Sequence, residues 1–380
     1  MLGGSQLARP DLRAGGGVDF SLSVDKRERP VLPEGTAHRP AMPAADKIRT
    51  VLPFLAAPVL ARLPAALGYR IACWNGDLLF RCQAGKRTEV ARNLQLVLGN
   101  ELSPAAAQQV ARDWFRLGFC RAVDVKRLRH EARPLRRLVE IHGREHLEAA
   151  LAAGKGAILC SAHFGSHRSG FSLLHASGFP LTSIGRRAIR RTDHSPAERR
   201  FWDLAYRPVR RYRQRSAIEP LPGRIQVAAL AAAALRNNEV VTVSIDAPPV
   251  DGDRARAIEV PFLDGHARLL PGAVTLAQLT GAPLLMGFLY RSADYRHQVL
   301  EISPPVPVEG ETVRAFGRCV AAMDAAIRTS PAHWAYWANA DDLASLGLLQ
   351  TAPSGTAAVS PQSTVGEPAT LPEDGPLSLG

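Results

Sequence analysis

The stretch Ala157-Ile158-Leu159-Cys160-Ser161-Ala162-His163-Phe164-Gly165-Ser166-His167-Arg168 holds the residues best suited to chemistry. A short apolar run ends in small residues, and a histidine stands at that turn. Imidazole titrates near neutral pH, so a histidine at the mouth of a buried strand can take a proton from a bound hydroxyl. The alternative is a purely structural strand-end histidine. His167, about one helical turn further on, is a second candidate base or a solvated helix-start residue. Ser161 and Ser166 lack the G-x-S-x-G elbow of a hydrolase nucleophile.

The elements that must position these residues follow an α/β pattern. Helices are expected at 86–98 and from Pro104 towards Val125, with Ser103 as N-cap and Pro104 in the first turn. Strands are expected at 139–141, 157–160, 181–184, 240–245, 283–290 and 299–302, and helices at 145–153, 168–176, 224–236, 272–280 and 313–329. Strands separated by helices imply a largely parallel central sheet flanked by helices. The expected organisation is a tail at 1–45, one α/β domain at 46–348 with a helical part at 46–130, and a tail at 349–380. Both tails are rich in Gly or Pro, lack an apolar period, and read as disordered.

From Ile48 to Trp74 the chain is apolar but interrupted by Pro53, Pro58, Pro64, Arg49, Arg62 and Arg70. It lacks the roughly 20 uninterrupted apolar residues that a spanning helix requires. Two readings stay open: helices lying in a membrane interface with basic side chains outward, or an ordinary buried helical hairpin.

The formal net charge of +12 is the strongest compositional signal. Arginine dominates it, notably at Arg186, Arg187, Arg190, Arg191, Arg199, Arg200, Arg207, Arg210, Arg211, Arg213 and Arg215. Such a block suits a polyanion or is simply a solvated basic face. Zinc-finger spacing, an aromatic RNA-binding signature and a clear helix-turn-helix are all missing, so no nucleic-acid partner is expected. An anionic membrane surface or a phosphorylated substrate fits better. The five cysteines are scattered without C-x-x-C spacing, which supports neither a disulfide framework nor a zinc site and fits a reducing compartment. The N-terminus lacks the charged-then-apolar order of a signal peptide.

Several segments, in order, carry a resemblance. They are Lys86-Arg87-Thr88-Glu89-Val90-Ala91-Arg92-Asn93-Leu94, the 156–165 block around His163, and Ile245-Asp246 at a strand end. Pro261-Phe262-Leu263-Asp264-Gly265 follows with Leu270-Pro271-Gly272, then Thr280-Gly281-Ala282-Pro283, and finally Pro331-Ala332-His333-Trp334 with Tyr336-Trp337. Over roughly residues 45–345 the chain resembles the bacterial lysophospholipid acyltransferase-like family. That family includes the lipid A lauroyl and myristoyl acyltransferases and the mannoside acyltransferases.

The resemblance implies an α/β sandwich that moves a fatty acyl group from an acyl carrier protein or coenzyme A thioester to a hydroxyl of a lipid acceptor. It implies no bound cofactor or metal, and a peripheral position on the cytoplasmic face of the inner membrane. The family's motif is a histidine followed, after four residues, by Asp or Glu. His163 matches the histidine, whereas Arg168 stands where the acid is expected. A carboxylate would hold the imidazole tautomer and stabilise the imidazolium; a guanidinium does the opposite.

Asp246 or Asp193 is therefore the candidate orienter of His163. Arg186 and Arg187 stand where the family places a basic residue near substrate, and with His167 and Arg168 they are the candidate substrate-binding residues. The run Asp246-Ala247-Pro248-Pro249 departs from the family, and so does Ala338-Asn339-Ala340-Asp341. Arg168 also leaves open a second expectation, a catalytically impaired homologue that binds lipid or carrier protein as an accessory factor.

Overall fold

The computed structural model describes residues 44–99, 102–128, 136–185, 196–207, 209, 216–218, 226–249 and 253–350. The chain opens with four helices: α1 (Ala44–Leu60), α2 (Ala65–Cys82), α3 (Ala84–Leu98) and α4 (Pro104–Arg127). Ser103 caps α4 by accepting from the Ala106 amide at 3.2 Å, and Pro104 occupies the first turn, where its missing N–H costs nothing. Pro53 and Pro58 lie within α1. Helix α4 packs against α1, α2 and α3 and carries the helical part as a unit.

Beyond it, strands and helices alternate: β1 (Val139–His142), α5 (Arg144–Ala152), β2 (Ala157–Ser161), α6 (His167–Ala176), β3 (Leu181–Ile184), α7 (Pro196–Ala205), β4 (Ser216–Ile218), α8 (Gln226–Arg236) and β5 (Val240–Ser244). Then come β6 (Ile258–Phe262), β7 (Gly265–Leu269), α9 (Gly272–Thr280), β8 (Leu284–Arg291), β9 (Gln298–Ile302), α10 (Thr312–Thr329) and α11 (Ala340–Ser345). The main sheet has the order β1-β9-β8-β2-β5-β3-β4. All its pairs are parallel except β8–β9. The mixed α/β class with a mostly parallel sheet is thus the observed one. Every residue of β2 and β8 is buried, as expected for strands covered by helices on both faces.

Three features depart from the sequence expectation. Strands β6 and β7 form a separate antiparallel hairpin, pairing Phe262 with Gly265, where no strand was expected. The β8–β9 pair is antiparallel, because the short Ser292–His297 link closes as a hairpin rather than a crossover. A short strand at 216–218, not anticipated, extends the sheet beyond β3. At the other end of the chain, Leu346, Leu348 and Leu349 are buried in the core. The structure shifts the edges of the two expected tails inward, since 44–45 open α1 and Leu349 packs into the core; the rest of both tails and the strongly basic 186–195 and 210–215 segments lie outside the described residues.

Candidate functional site

The register of the sheet builds the site. Strands β2 and β5 are parallel neighbours and pair Ser161 with Ser244. His163 and Asp246 each lie two residues past that pair, so the sheet delivers both to the same carboxyl edge. The Ile245 amide donates to the Ser161 carbonyl at 2.9 Å, continuing the ladder to the edge itself. Ligands in open α/β sheets bind at this edge.

His163 Nδ1 lies 2.8 Å from Asp246 Oδ1, and the His163 backbone amide donates to Asp246 Oδ2 at 2.7 Å. Trp334 Nε1 donates to the same Oδ2 at 2.9 Å. Asp246 is fully buried, and these three donors compensate its desolvation. The His163 side chain keeps 26% of its surface exposed. With Nδ1–H held by the carboxylate, Nε2 is the ring's acceptor. The Tyr336 hydroxyl stands 3.1 Å from Nδ1, its ring tilted against the imidazole.

The loop carrying His163 is zipped onto the terminal aromatic segment. The Gly165 amide donates to the His333 carbonyl at 2.9 Å and the Ala335 amide to the His163 carbonyl at 3.0 Å, around a Phe164–Trp334 bridge. Gly165 has φ +55, and a Cβ there would meet the Leu289 carbonyl oxygen at 2.0 Å, so this turn requires glycine. His333 stacks on Phe164 and accepts the Arg291 amide at Nε2. Its burial, reinforced by Arg121 and Arg291, pushes its pKa down to about 3 and keeps it neutral.

A buried polar node fixes the other side of the loop. Ser166 donates to Asp124 Oδ2 at 2.5 Å, Tyr69 donates to Oδ1 at 2.6 Å, and Arg291 pairs with the same carboxylate. The node ties α2, α4, β8 and the His163 loop together. Burial, followed by the Asp124 charge, pushes the Tyr69 phenol up.

The sequence candidates distribute unevenly over this geometry. His163 and Asp246 are brought together. His167 meets His163 edge to face, ring centroids 5.1 Å apart. Arg168 lays its guanidinium over the Tyr206 ring, 4.8 Å from the centroid. Arg186, Arg187 and Asp193 lie outside the described residues. Neither candidate serine is placed as a nucleophile: Ser166 is committed to Asp124, and Ser161 is buried beside its own chain.

Trp334, Tyr336, Asp124 and Arg291 were missed as site residues. Only Trp334 and Tyr336 carried a sequence signal, as part of the aromatic segment. That segment is in turn clamped by α3, whose Lys86 donates to the Ala338 carbonyl and whose Asn93 donates to that of Trp337 at 2.9 Å. Phe262, from the hairpin, packs edge-on against Trp334. Segments far apart in sequence thus converge on the indole that braces Asp246.

A partly exposed imidazole backed by a buried carboxylate, at the carboxyl edge of a mostly parallel sheet, defines an α/β protein with a histidine–aspartate site. The family model described as bacterial lipid A biosynthesis acyltransferase matches residues 46–339, and the chain belongs to that family. It is also similar to a phosphatidylinositol mannoside acyltransferase of Mycobacterium tuberculosis (strain ATCC 25618 / H37Rv). The two are 30% identical over 213 residues, 53% of this chain and 60% of the relative. The matched region therefore spans less than two thirds of the relative's length.

Proposed function

We propose that this protein transfers a fatty acyl group from a thioester donor, an acyl carrier protein or coenzyme A, to a hydroxyl of a lipid or glycolipid-like acceptor at a membrane surface. The observation that carries the reading is the 2.8 Å contact between His163 Nδ1 and the buried Asp246 carboxylate. In this reading Nε2 accepts the acceptor's hydroxyl proton as its oxygen attacks the thioester carbonyl. The tetrahedral adduct then collapses, the carbon–sulfur bond breaks, and the imidazolium returns the proton to the departing thiolate. Asp246 stabilises the imidazolium between these steps, a general-base contribution of roughly 10²–10⁴ in rate.

The accessory-factor reading drew its support from Arg168. Asp246 supplies a carboxylate from another strand, and Arg168 is occupied with Tyr206. Those contacts favour the enzyme.

Membrane contact is supported by the outer faces of α1 and α2. Leu52, Leu55 and Val59 on α1 and Leu67, Trp74 and Leu78 on α2 are exposed, with Arg62, Arg70 and Arg81 also exposed nearby. Among the described residues no helix is long and apolar enough to cross a membrane. An apolar face with arginines beside it, tryptophan included, suits a protein lying in the interface.

The test is turnover of an acyl-carrier or coenzyme A thioester, with and without lipid acceptor, by wild-type and His163→Ala protein. Wild-type release and transfer that vanish in the variant support the proposal. Equal rates in the two proteins refute it.

A further inference from the structure

Helices α2 and α4 run antiparallel in a register that Tyr69–Asp124, Cys73–Cys120 and Asp77–Arg116 mark at successive turns. Tyr69 donates to Asp124 at 2.6 Å, and Arg116 forks onto Asp77 through Nε at 2.7 Å and Nη2 at 2.9 Å. Between these contacts Cys73 Sγ lies 3.9 Å from Cys120 Sγ. Both are free thiols, Cys120 buried and Cys73 half-buried. A disulfide needs backbones closer than most packed helix pairs come. Gly76 supplies that approach, since a Cβ there would meet the Arg116 Cα at 2.6 Å.

We propose that Cys73 and Cys120 are a redox modification site, at which hydrogen peroxide closes an α2–α4 disulfide that loosens the loop carrying His163. The two thiols divide the work as such a pair requires, one open to the oxidant and one resolving behind it. The Cys120 hydrogen bond, aided by Arg116 and Arg291 against the cost of burial, pulls the Cys73 pKa down. Burial, then that hydrogen bond, pushes Cys120 up. The Cys73 thiolate attacks the peroxide, the O–O bond breaks, and a sulfenic acid forms as hydroxide leaves. The Cys120 sulfur then displaces the sulfenic oxygen, which departs with the Cys120 proton as water. Two thiols are oxidised and one peroxide is reduced to water.

The new bond draws the sulfurs from 3.9 Å to about 2.05 Å. Gly76 already rests on the Arg116 backbone, so that turn cannot close further. The movement falls on the turn of Tyr69 and Asp124. Asp124 is also the carboxylate that holds Ser166, in the His163 loop, at 2.5 Å. What this does to turnover rests on the acyl-transfer reading. The disulfide and the loop are both measured without turnover, so the two fail separately.

The experiment treats the full chain, carrying Cys82→Ser to remove the exposed thiol, with hydrogen peroxide and quenches it with an alkylating agent in denaturant. Peptide mass spectrometry is expected to find Cys73 joined to Cys120, about tenfold or more faster than the buried thiols of Cys160 and Cys319 are lost. Amide hydrogen exchange across 163–170 is expected to quicken about threefold or more on oxidation, and dithiothreitol to reverse both changes. Cys73→Ser in the same background should leave that exchange unaffected by peroxide. Melting temperatures confirm that the variant folds, and Cys73→Ala replaces it if serine is not tolerated. Cys73 and Cys120 recovered alkylated overturn the site. A disulfide with unchanged exchange, or equal quickening in the Cys73 variant, overturns its hold on the loop.

Discussion

Asp246 holds His163 twice, through the ring at 2.8 Å and through the backbone amide at 2.7 Å. One carboxylate therefore sets both the tautomer of the imidazole and the position of the loop that bears it. Asp246→Asn preserves shape but presents an amide that no longer stabilises an imidazolium. The expected outcome is a fall in kcat of about 10³–10⁴ with little change in KM. Steady-state kinetics on a thioester donor check it, and a kcat within a few-fold of wild type would remove Asp246 from the mechanism.

Much of this architecture is legible in the sequence, because apolar runs and turn residues mark where each strand ends. His163 and Asp246 are each recognisable as strand-end residues. Their pairing is not, since it depends on β2 and β5 being neighbours although β3 and β4 intervene in the chain, an order invisible to local pattern. Arg168 misleads for a related reason. Spacing of five residues suggests a position beside the histidine, but the turn at Gly165 and the start of α6 send the side chain to Tyr206 instead. The Asp124 node had no sequence signal, because a lone aspartate within an amphipathic helix reads as a solvated residue until its partners on β8 and the loop are known.

Gly165→Ala tests whether the loop geometry, rather than the chemistry of its side chains, sets activity. A methyl group would stand 2.0 Å from the Leu289 carbonyl oxygen at a positive φ. Loss of stability of about 1–3 kcal/mol in urea unfolding is expected, with transfer activity reduced further than the lost folded fraction explains. Wild-type stability and rate in this variant would show that the loop tolerates displacement.

The Asp124–Arg291 pair is nearly solvent-free on both sides, and it joins the helical part to the sheet. Removing one partner leaves a buried charge without compensation. Asp124→Leu and Arg291→Met are each expected to cost about 3–5 kcal/mol, whereas the two together cost less than the sum of the singles. Chemical denaturation of all variants measures the coupling; additive losses would mean that the two residues act independently.

His333 gives the fold an acid-sensitive point. Its pKa is 6.5 in an ordinary setting and is pushed down to about 3 in the folded chain. Between those values the unfolded chain binds the extra proton and the folded chain does not. The stability this group contributes is therefore present above 6.5 and drains away as pH falls towards 3. His333→Gln retains an acceptor for the Arg291 amide without titrating. Urea midpoints at about pH 7 and about pH 4 should fall more in wild type than in the variant. Parallel declines would place the acid sensitivity elsewhere.

The outer faces of α1 and α2 make a separable prediction about where the reaction happens. Leu55 and Trp74 are 58% and 66% exposed, while Ala57, Tyr69 and Ala72 hold the same helices to the rest of the fold. Aspartate at both exposed positions therefore changes the face that meets lipid and leaves the packed face intact. Inserting a leucine and a tryptophan into the interface is worth several kcal/mol together, so Leu55→Asp with Trp74→Asp should weaken sedimentation with phosphatidylglycerol–phosphatidylcholine vesicles by about tenfold or more. Hydrolysis of a water-soluble thioester donor should continue at the wild-type rate, because the variant leaves His163 and Asp246 untouched, while transfer to an acceptor embedded in the vesicle falls with binding. If vesicle binding is unchanged, the apolar face serves some other contact. If hydrolysis and transfer fall together, the substitutions have reached the sheet edge through α4 rather than acting at the membrane.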